Sequence, residues 1–460
     1  MKKRMTIVLL VVAMIATLIS GCGTQAEGNG SAQGTPDSNV AAASSGDSGA
    51  ADSAAPVKHK QIRFLTDWNT ELERYDEFHK RLNDWLAANP DMDVAVEVAL
   101  DPENKNKMKV EVASGQPADV FKWWVTPSNC TFLYEGGIAM ETDKIIEASD
   151  YLTPEMFDQE SRKTGTYKGV SYGLPIYGSS GFFVINKALY DKYQVPIPVT
   201  YADFREGAKT FIKNGIIPFA TGSKEGNPSH YWMSALWAQW PGALDELNAI
   251  ASGATLAPAS GNALKTAQII AEDTKLNMYP RDPVANGVDQ TLAMFLEGRA
   301  AAYYIMSYQL NGLTAEQAAN IEFVPVPKVE GGELDTSKYY YKSPTNGYQM
   351  SSIGFKDEAK RPAMIKLMDF LCSPAILELY ATTEEMLINI PFDASTYSDA
   401  KKKMEVFKEG KQTYSSVQFT RIANATVWTQ YKVKIDELYA GMITPEEFQK
   451  GIGEVWEANK

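Results

Sequence analysis

Apolar residues recur with two different periods at the start of the folded body. The run at 62–66 is short and apolar, and valines alternate with other residues over 94–98, so both segments predict strands. Between them, apolar residues recur at helical spacing over 75–86 until an Asn-Pro pair ends the helix. A second predicted helix covers 102–114 and a third strand covers 119–121. The order β-α-β-α-β predicts an open parallel sheet covered by helices.

Later segments continue this mixture of strands and helices. One strand is predicted at Gly181–Ile185 and a buried strand at Ala300–Ile305. Thr200 is placed to cap the helix that follows it, and Gly215 closes that helix. Near the end, Thr444 is followed by proline and two glutamates, which predicts another helix start. The body is therefore predicted to be α/β.

Residues 1–21 have the pattern of a secretory signal. Three basic residues at 2–4 precede an apolar run from Ile7 to Ile19, which is short for a membrane span. The run ends in LISGC, which resembles the lipobox of bacterial lipoproteins and makes Cys22 the lipid-bearing first residue of the mature chain. An ordinary signal peptide cut nearby, with Cys22 incidental, is the alternative. A diacylated cysteine supplies the two hydrophobic chains that stable anchoring needs.

A tether and two lobes are expected after the signal. Residues 22–57 are rich in Gly, Ser, Ala, Asp and Asn, so they predict a flexible linker with a reach of about 30 Å. Roughly 400 residues remain, more than one core usually covers, so two lobes are expected. The formal charge of -13 becomes -16 once the three basic residues at 2–4 are removed. Because no basic patch stands out, nucleic acid is not an expected partner.

Cysteine and histidine are scarce in the body. Cys130 and Cys372 form either one disulfide or two small buried thiols in an exported chain. The three histidines, His59, His79 and His230, are widely separated. We therefore expect no zinc site and no Cys/His catalytic pair. No metal-ligating residue and no cofactor is predicted, and the sequence leaves open whether a metal ion is bound.

Two tryptophans stand side by side where the third strand ends, in PADVFKWWVTPS. Successive side chains of a strand point to opposite faces, so one of Trp123 and Trp124 is expected to enter the core and the other to face outward. In open α/β sheets, ligands settle beyond the carboxyl ends of the strands, at loops such as 66–70 and 122–128. One ring of the pair is therefore expected to face a ligand crevice.

Three longer segments carry a resemblance to a known family. They are YGLPIYGSSGFFVINKALYDKYQVPIPVTYADF, MFLEGRAAAYYIMSY and NGYQMSSIGFKDEAKRPAMIKLMDFLCS. In this order and spacing they resemble the extracellular solute-binding proteins of ABC importers, family 1, whose best-known member binds maltodextrins. With the lipobox in front, the resemblance covers nearly the whole body.

The resemblance implies a two-lobe, type II periplasmic-binding-protein-like α/β fold. Crossover strands join the lobes, and a hinge closes them on a ligand cleft. The implied N-terminal lobe covers 58–175 and 326–378, and the C-terminal lobe covers 176–325 and 379–460. The implied crossovers fall near Leu174–Ile176, Pro325–Pro327 and Tyr380–Asn389.

The resemblance also implies a function without catalysis. It describes a monomeric, extracytoplasmic substrate-binding lipoprotein, anchored by Cys22 to the outer face of the bacterial cell membrane. Such a protein captures a carbohydrate, here expected to be an oligosaccharide, and delivers it to the permease subunits of an ABC importer.

Ligand contacts follow from the same resemblance, residue by residue. Trp123 matches a ring that stacks on sugar, Trp428 matches a second stacking ring, and Tyr308 matches a third. Ser179 stands where the family often has a carboxylate that contacts sugar, so the resemblance does not imply the same sugar. The aromatic position of a further loop falls at 231–232.

Seven other residues complete the predicted site: Trp232 for the loop ring, and Trp68, Asp67, Asn69, His230, Trp124 and Tyr177. Aromatic faces stack on the apolar C–H face of a sugar. Polar side chains are needed around the rim because an unsatisfied buried polar group costs about 1–3 kcal/mol.

Core packing is the alternative for every ring, since most tryptophans are largely buried. We accept core packing for Trp85, Trp240 and Trp456. The pair Glu384–Glu385 and the run Lys401–Lys403 are interpreted as solvated helix faces.

Three other functions compete with sugar import. A binding protein for a non-sugar solute and a sensor subunit that reports to a membrane kinase use the same fold. An extracellular glycosidase needs two carboxylates about 5–10 Å apart, and no motif in the sequence indicates them. The sequence also lacks G-x-S-x-G and a Walker-type phosphate loop.

Overall fold

The computed structural model describes residues 59–68, 73–100, 103–157, 162, 166–224, 228–252, 261–382, 384–414 and 425–459. The predicted signal segment, Cys22 and the linker lie outside these ranges, and so does Asn69. Within the ranges, no helix combines the length and the apolar character that crossing a membrane requires.

The predicted start of the sheet is confirmed. The first elements are β1 (Ile62–Thr66), α1 (Glu73–Ala88), β2 (Val94–Val98), α2 (Glu103–Ala113) and β3 (Val120–Trp124). β1 lies between two parallel partners, with Phe64 opposite both Val96 and Val120. β3 runs three residues beyond the prediction because a later strand pairs with it as far as Trp124.

Helices and strands continue to alternate through the rest of the body. The further helices are α3 (Pro127–Glu135), α4 (Thr142–Ala148), α5 (Lys187–Tyr193), α6 (Tyr201–Lys213), α7 (Ser229–Trp237), α8 (Ala243–Ser252), α9 (Gly261–Lys275), α10 (Val288–Leu296), α11 (Ala315–Asn320), α12 (Ser352–Lys356), α13 (Arg361–Leu371), α14 (Pro374–Ala381), α15 (Asp399–Lys408), α16 (Ala425–Tyr439) and α17 (Pro445–Glu457). The further strands are β4 (Thr166–Tyr167), β5 (Val170–Ser171), β6 (Leu174–Asn186), β7 (Ile217–Ala220), β8 (Ala300–Met306), β9 (Ile321–Val324), β10 (Tyr339–Met350), β11 (Glu385–Met386) and β12 (Gln412–Tyr414).

One mixed sheet organises these elements, in the order β2-β1-β3-β10-β6-β8-β7. β9 and β11 also pair with β6, and β12 pairs with β10. β6 and β10 are antiparallel to each other and have 13 and 12 residues. These two strands connect the parallel strands at one end of the sheet to β8 and β7 at the other.

Two large apolar cores lie along these long strands. The first core contains Leu174 of β6 and Tyr348 of β10, together with residues of α1, α13 and α14. The second core contains Phe183 of β6 and Tyr341 of β10, together with residues of α6, α7, α16 and α17. β6 and β10 therefore cross from one core to the other. The lobe boundaries stay a prediction, and Tyr341, which that prediction assigns to the N-terminal lobe, packs in the second core.

The predicted helix ends are confirmed. Thr200 and Asp203 form a reciprocal capping box at α6, and Thr444 and Glu447 form another at α17. Gly215 follows α6 with φ +72°, in the left-handed region where glycine is free of steric cost. These are local signals, which is why the sequence alone is sufficient to locate them.

Of the two alternatives for the cysteines, the structure has two free, buried thiols. The Cys130 thiol donates to the Trp124 carbonyl oxygen at 2.6 Å. Burial raises the pKa of Cys130 to about 12 and also raises that of Cys372. Both cysteines are therefore protonated, small core residues at neutral pH.

Candidate binding site

A first group of side chains forms one side of the candidate site. We call Asp67, Trp68, Lys122, Tyr177 and Tyr380 the Trp68 group. Asp67 and Trp68 directly follow β1, Lys122 lies on β3, Tyr177 on β6, and Tyr380 in the last turn of α14. Because parallel neighbours β1 and β3 end at the same edge of the sheet, residues after β1 lie beside residues of β3.

The rings of this group contact one another in sequence. Trp68 meets Tyr380 edge-on, with ring centroids 4.7 Å apart at 66°, and Tyr380 stacks on Tyr177 at 4.9 Å and 26°. The hydroxyls of Tyr380 and Tyr348 share a hydrogen bond of 2.9 Å. Burial raises the pKa of both tyrosines well above the ordinary value, so both phenols are neutral hydrogen-bonding groups at physiological pH.

An ion pair lies at the edge of the stack. The Lys122 ammonium donates to the Asp67 carboxylate and lies 5.5 Å from the centroid of the Tyr177 ring. The Lys122 side chain is 5% exposed, whereas that of Asp67 is 29% exposed. The Asp67 carboxylate is therefore the member of the pair that is open to solvent, and the buried Lys122 ammonium balances its charge.

A second group lies near the carboxyl end of β8. We call His230, Tyr231, Tyr308 and Trp428 the Trp428 group. The His230 ring lies 5.5 Å from Trp428 and 4.1 Å from Tyr231. The hydroxyls of Tyr308 and Tyr231 are hydrogen-bonded, and burial raises the pKa of Tyr308 well above its ordinary value. Trp428 and Tyr308 are half-buried.

The middle of β6 connects the two groups. Tyr177 belongs to the first group, while Gly181 pairs with Met306 at the end of β8. The Ser180 amide donates to Ser307 Oγ at 3.1 Å, directly beside Tyr308. The predicted contact Ser179 lies between them and is 7% exposed. At about 3.4 Å per residue, Tyr177 and Ser180 are only about 10 Å apart, so both groups flank one short stretch of β6.

The tryptophan pair does not enter either group. Trp123 is 2% exposed, donates from Nε1 to the Asn129 carbonyl oxygen at 3.0 Å, and packs with Phe121. Trp124 is half-buried, and the Lys105 ammonium lies 4.4 Å from the centroid of its ring. One ring is in the core and the other is more open, as alternation requires, and the more open ring is Trp124. Both were predicted as ligand contacts, and neither lies in the two groups.

Trp232 also lies apart from the two groups. It is fully buried in the second core, 4.5 Å from Phe219 and 5.6 Å from Phe183. Its neighbour Tyr231 is the ring that joins the Trp428 group. Both positions lie on α7, where consecutive side chains point about 100° apart, so only one of them faces His230 and Trp428.

Of the nine members of the two groups, six were predicted as ligand contacts: Asp67, Trp68, Tyr177, His230, Tyr308 and Trp428. Lys122, Tyr380 and Tyr231 were not, since the loop ring was assigned to Trp232, the neighbour of Tyr231. A charged residue inside the apolar run DVFKWW was a usable signal for Lys122, whereas Tyr380 ends an apolar helix and carries no such signal.

The expectation that Glu384–Glu385 and Lys401–Lys403 form solvated helix faces is wrong at its main residues. Glu384 and Glu385 are each 6% exposed and Lys401 is 3% exposed. Both oxygens of Glu385 lie 2.9 Å from Lys408 Nζ, and Lys401 donates to the carbonyl oxygens of Ala381 and Glu384. Glu384 and Glu385 lie at β11 and not on a helix. Lysines of α15 contact both residues, which buries them.

This ion cluster lies beside the candidate site. Glu385 pairs in register with Gly178 of β6, and the next residue, Met386, pairs with Tyr177. Burial lowers the pKa of Lys401 to about 8. Burial also disfavours charge on Lys408, but the carboxylates of Glu385 and Glu405 raise its pKa above the ordinary value. The cluster joins α15 to the strand that separates the two aromatic groups.

The chemistry of the two groups is suited to binding. Asp67 is the single carboxylate among their members, whereas glycoside hydrolysis uses two facing carboxylates. In the part of the chain that the structure describes, no cluster of three or more His, Cys, Asp or Glu side chains is placed to hold a metal ion. Trp68 and Tyr380 are 2% exposed and His230 is fully buried, while Tyr177 and Tyr231 are 8% and 9% exposed. The members of the groups that are partly open to solvent are Tyr308, Trp428 and the Asp67 carboxylate.

Comparison with known sequences gives one family match. The family described as bacterial extracellular solute-binding protein matches residues 69–376. A comparison with curated protein sequences found no significant match.

Solved structures resemble the chain along nearly their whole length. A protein from a study of xylan utilization by Caldanaerobius polysaccharolyticus has 21% identity and a TM-score of 0.70, covering 86% of this chain and 99% of that chain. A chitin oligosaccharide binding protein has 20% identity and a TM-score of 0.71, covering 86% and 98%. Maltose-bound MalE3 of T. maritima has 17% identity and a TM-score of 0.64, covering 87% and 100%. At these identities the likeness concerns the fold.

Proposed function

The chain belongs to the bacterial extracellular solute-binding protein family, and on that premise we propose that it captures a carbohydrate for an ABC importer. Its fold is the two-lobe, type II periplasmic-binding-protein-like α/β fold. The family consists of extracytoplasmic substrate-binding proteins and not of enzymes. The ligand, the site residues and the anchoring are the parts that we propose.

One observation carries the choice of ligand. Two aromatic groups, from different segments of the chain, flank the same stretch of β6, and each combines rings with polar side chains. The Trp68 group contributes a carboxylate at 29% exposure, and the Trp428 group contributes two half-buried rings. A sugar ring needs this combination, because its C–H face stacks on aromatic faces while its hydroxyls need donors and acceptors.

Similar structures support this choice. The descriptions of three of them refer to xylan utilization, to chitin oligosaccharide binding and to bound maltose. Xylan, chitin oligosaccharides and maltose are all carbohydrates. For this chain we propose an oligosaccharide held between the Trp68 group and the Trp428 group, with Ser179 on the strand between them.

Closure and delivery follow from where the groups lie. β6 and β10 cross from one apolar core to the other, so residues on either side approach one ligand when the two lobes close. A ligand that contacts both groups stabilises the closed form. We further propose that acylated Cys22 and the linker at 22–57 hold the monomeric protein at the outer face of the cell membrane, where it delivers the carbohydrate to the permease.

A thermal-shift screen tests the proposal. Xylo-, chito- and malto-oligosaccharides of two to six units are added to the purified protein. A ligand at one hundred times its Kd adds about 2.7 kcal/mol to the free energy of unfolding, which raises Tm. The sugar is then recovered and identified by chromatography.

The outcomes separate the competing functions. A Tm increase with unchanged sugar supports capture. Hydrolysed sugar means a glycosidase. The absence of any shift with carbohydrates, together with a shift for an amino acid or another small solute, replaces the carbohydrate with a non-sugar ligand. A sugar that binds the purified protein but is still taken up normally by a strain lacking the protein favours a sensor subunit.

A further inference from the structure

We propose that Lys122 is a positioning residue that links the ligand-facing carboxylate of Asp67 to the point where the crossing strands meet. This inference rests on the proposed function, because it assigns Asp67 to the ligand. It concerns a residue that makes no ligand contact of its own.

The location of Lys122 is unusual for a lysine. It lies between Phe121 and Trp123 on a strand with parallel and antiparallel neighbours, and its side chain is 5% exposed. A buried ammonium is costly unless it is paired. Its carboxylate partner, Asp67, is 55 residues away in sequence, so the fold brings the two charges together for a role that an apolar residue would not fill.

The second neighbour of Lys122 is the Tyr177 ring, 5.5 Å from the ammonium to the ring centroid. Tyr177 is paired in register with Asn346 of β10 on one side and with Met386 of β11 on the other. Three strands, β6, β10 and β11, therefore meet at Tyr177, and two of them cross between the cores. An aromatic face attracts a cation that lies over it, so movement of the Lys122 ammonium changes its interaction with the Tyr177 ring.

A chain of ring contacts leads from Tyr177 back to the neighbour of Asp67. Tyr177 stacks on Tyr380, Tyr380 meets Trp68, and Trp68 is the chain neighbour of Asp67. A ligand hydroxyl that donates to Asp67 competes with the Lys122 ammonium for the carboxylate. The ammonium then shifts relative to the Tyr177 ring. Lys122 thus gives the ligand a physical connection to the crossing strands, in addition to holding the carboxylate in place.

Two variants test this role. Lys122→Met keeps the length of the side chain and removes the charge. Asp67→Asn keeps the shape of a half-exposed side chain and removes the carboxylate, so it remains informative if Lys122→Met does not fold. Xylotriose, chitotriose and maltotriose are titrated calorimetrically into the wild type, each variant and the double variant.

Closure is measured independently of affinity. Lys109 on α2 and Lys450 on α17 are exposed, and their replacement by cysteine gives labelling sites for a fluorophore pair, one in each predicted lobe. The native Cys130 and Cys372 are buried and protonated and so do not react, and Cys22 is replaced by serine. Energy transfer between the labels is recorded with and without sugar.

We expect Lys122→Met to weaken binding by about tenfold to a hundredfold, and the double variant to be less than twofold weaker than the poorer single variant. Such non-additivity is the signature of two groups that act as a unit, which a general loss of packing does not produce. We also expect the energy transfer of unliganded Lys122→Met to differ from that of the wild type. Affinity within twofold of the wild type, or additive losses, overturns the proposal.

The failure of the proposed function is distinguishable from the failure of this inference. If no trisaccharide binds the wild type and no other carbohydrate in the thermal-shift screen does, the carbohydrate assignment fails. The link from Lys122 to the crossing strands is then judged on the unliganded energy transfer alone, and an unchanged value in both variants overturns it.

Discussion

Glu385 and Lys408 form a buried ion pair in which both carboxylate oxygens lie 2.9 Å from the ammonium nitrogen. The side chains are 6% and 13% exposed. Glu385 is on β11 and Lys408 on α15, so the pair fastens a helix to a strand that contacts β6 at Gly178. We interpret the pair as a brace, meaning a contact that stabilises the packing of α15 against β11 and β6.

Removing one partner of this pair is expected to be costly. Glu385→Ala leaves the buried Lys408 with Glu405 as its remaining carboxylate. We expect the free energy of unfolding to fall by up to about 3 kcal/mol, because the ammonium loses its buried partner and keeps only Glu405, whose side chain is 38% exposed. Urea denaturation measures this change. The control is Glu409→Ala, an exposed residue next to α15 that is expected to change stability by less than about 0.5 kcal/mol. Equal effects of the two substitutions would contradict the brace.

Lys401 gives a prediction about pH. Burial lowers its pKa in the folded protein to about 8, from 10.5, while Glu405, Glu385 and Glu384 oppose the shift and Lys408 adds to it. Between pH 8 and pH 10 the unfolded chain binds more protons at this site, so stability contributed by this site rises with pH. The gain over that window is about 2 kcal/mol.

The pH prediction is measured as a difference, because buried tyrosines also titrate at high pH. The stability of Lys401→Met is subtracted from that of the wild type at each pH, and the difference is expected to increase from pH 8 to pH 10. Lys402→Met, at an exposed neighbouring position, is the control and is expected to give a flat difference. A flat difference for Lys401→Met would mean that the amine is solvated.

Trp232 and Trp428 are expected to respond differently to truncation. Trp232 is fully buried among Phe183, Phe219 and Tyr201, so Trp232→Ala should lower the free energy of unfolding by about 3–5 kcal/mol. Trp428 is half-buried, so Trp428→Ala should cost less than about 2 kcal/mol. Denaturation of the two variants decides this, and a larger loss for Trp428→Ala would make that ring a core residue.

The cysteines are expected to be free but unreactive. With Cys22 replaced by serine, the folded protein should show almost no reaction with a thiol reagent, because Cys130 and Cys372 are buried and their pKa values are raised. In denaturant without reductant, two thiols per chain should react. Recovery of fewer than two thiols would show that a disulfide forms.

Local structure was predictable from the sequence, and the reasons are physical. The strand at 62–66, the α1 stripe and the caps at Thr200 and Thr444 depend on neighbouring residues only. β6 shows the limit. Gly181–Ile185 was predicted as a strand, but pairing with β10 and β11 extends it back to Leu174. A segment containing Gly, Pro and two serines has little strand propensity of its own.

The orientation of side chains at the site was less predictable. Alternation at 123–124 indicated that the rings differ in exposure, but not which ring faces the core, since that depends on Phe132 and Asn129 beyond the strand. Glu385 was expected to be solvated because it is charged, and its burial comes from contacts with α15 that lie distant in sequence. Lys122 and Asp67 are brought together by strand pairing across 55 residues. Such contacts are tertiary and have no local signal.

Isothermal titration of the best-binding oligosaccharide into Tyr177→Ala and Trp428→Ala tests the central claim most directly, because each variant removes one ring from one group. Tyr151→Ala, an exposed ring outside both groups, is the matched control. The account predicts that each site variant weakens binding at least tenfold while the control binds as the wild type does. Wild-type affinity in both site variants would contradict a ligand held between the two groups.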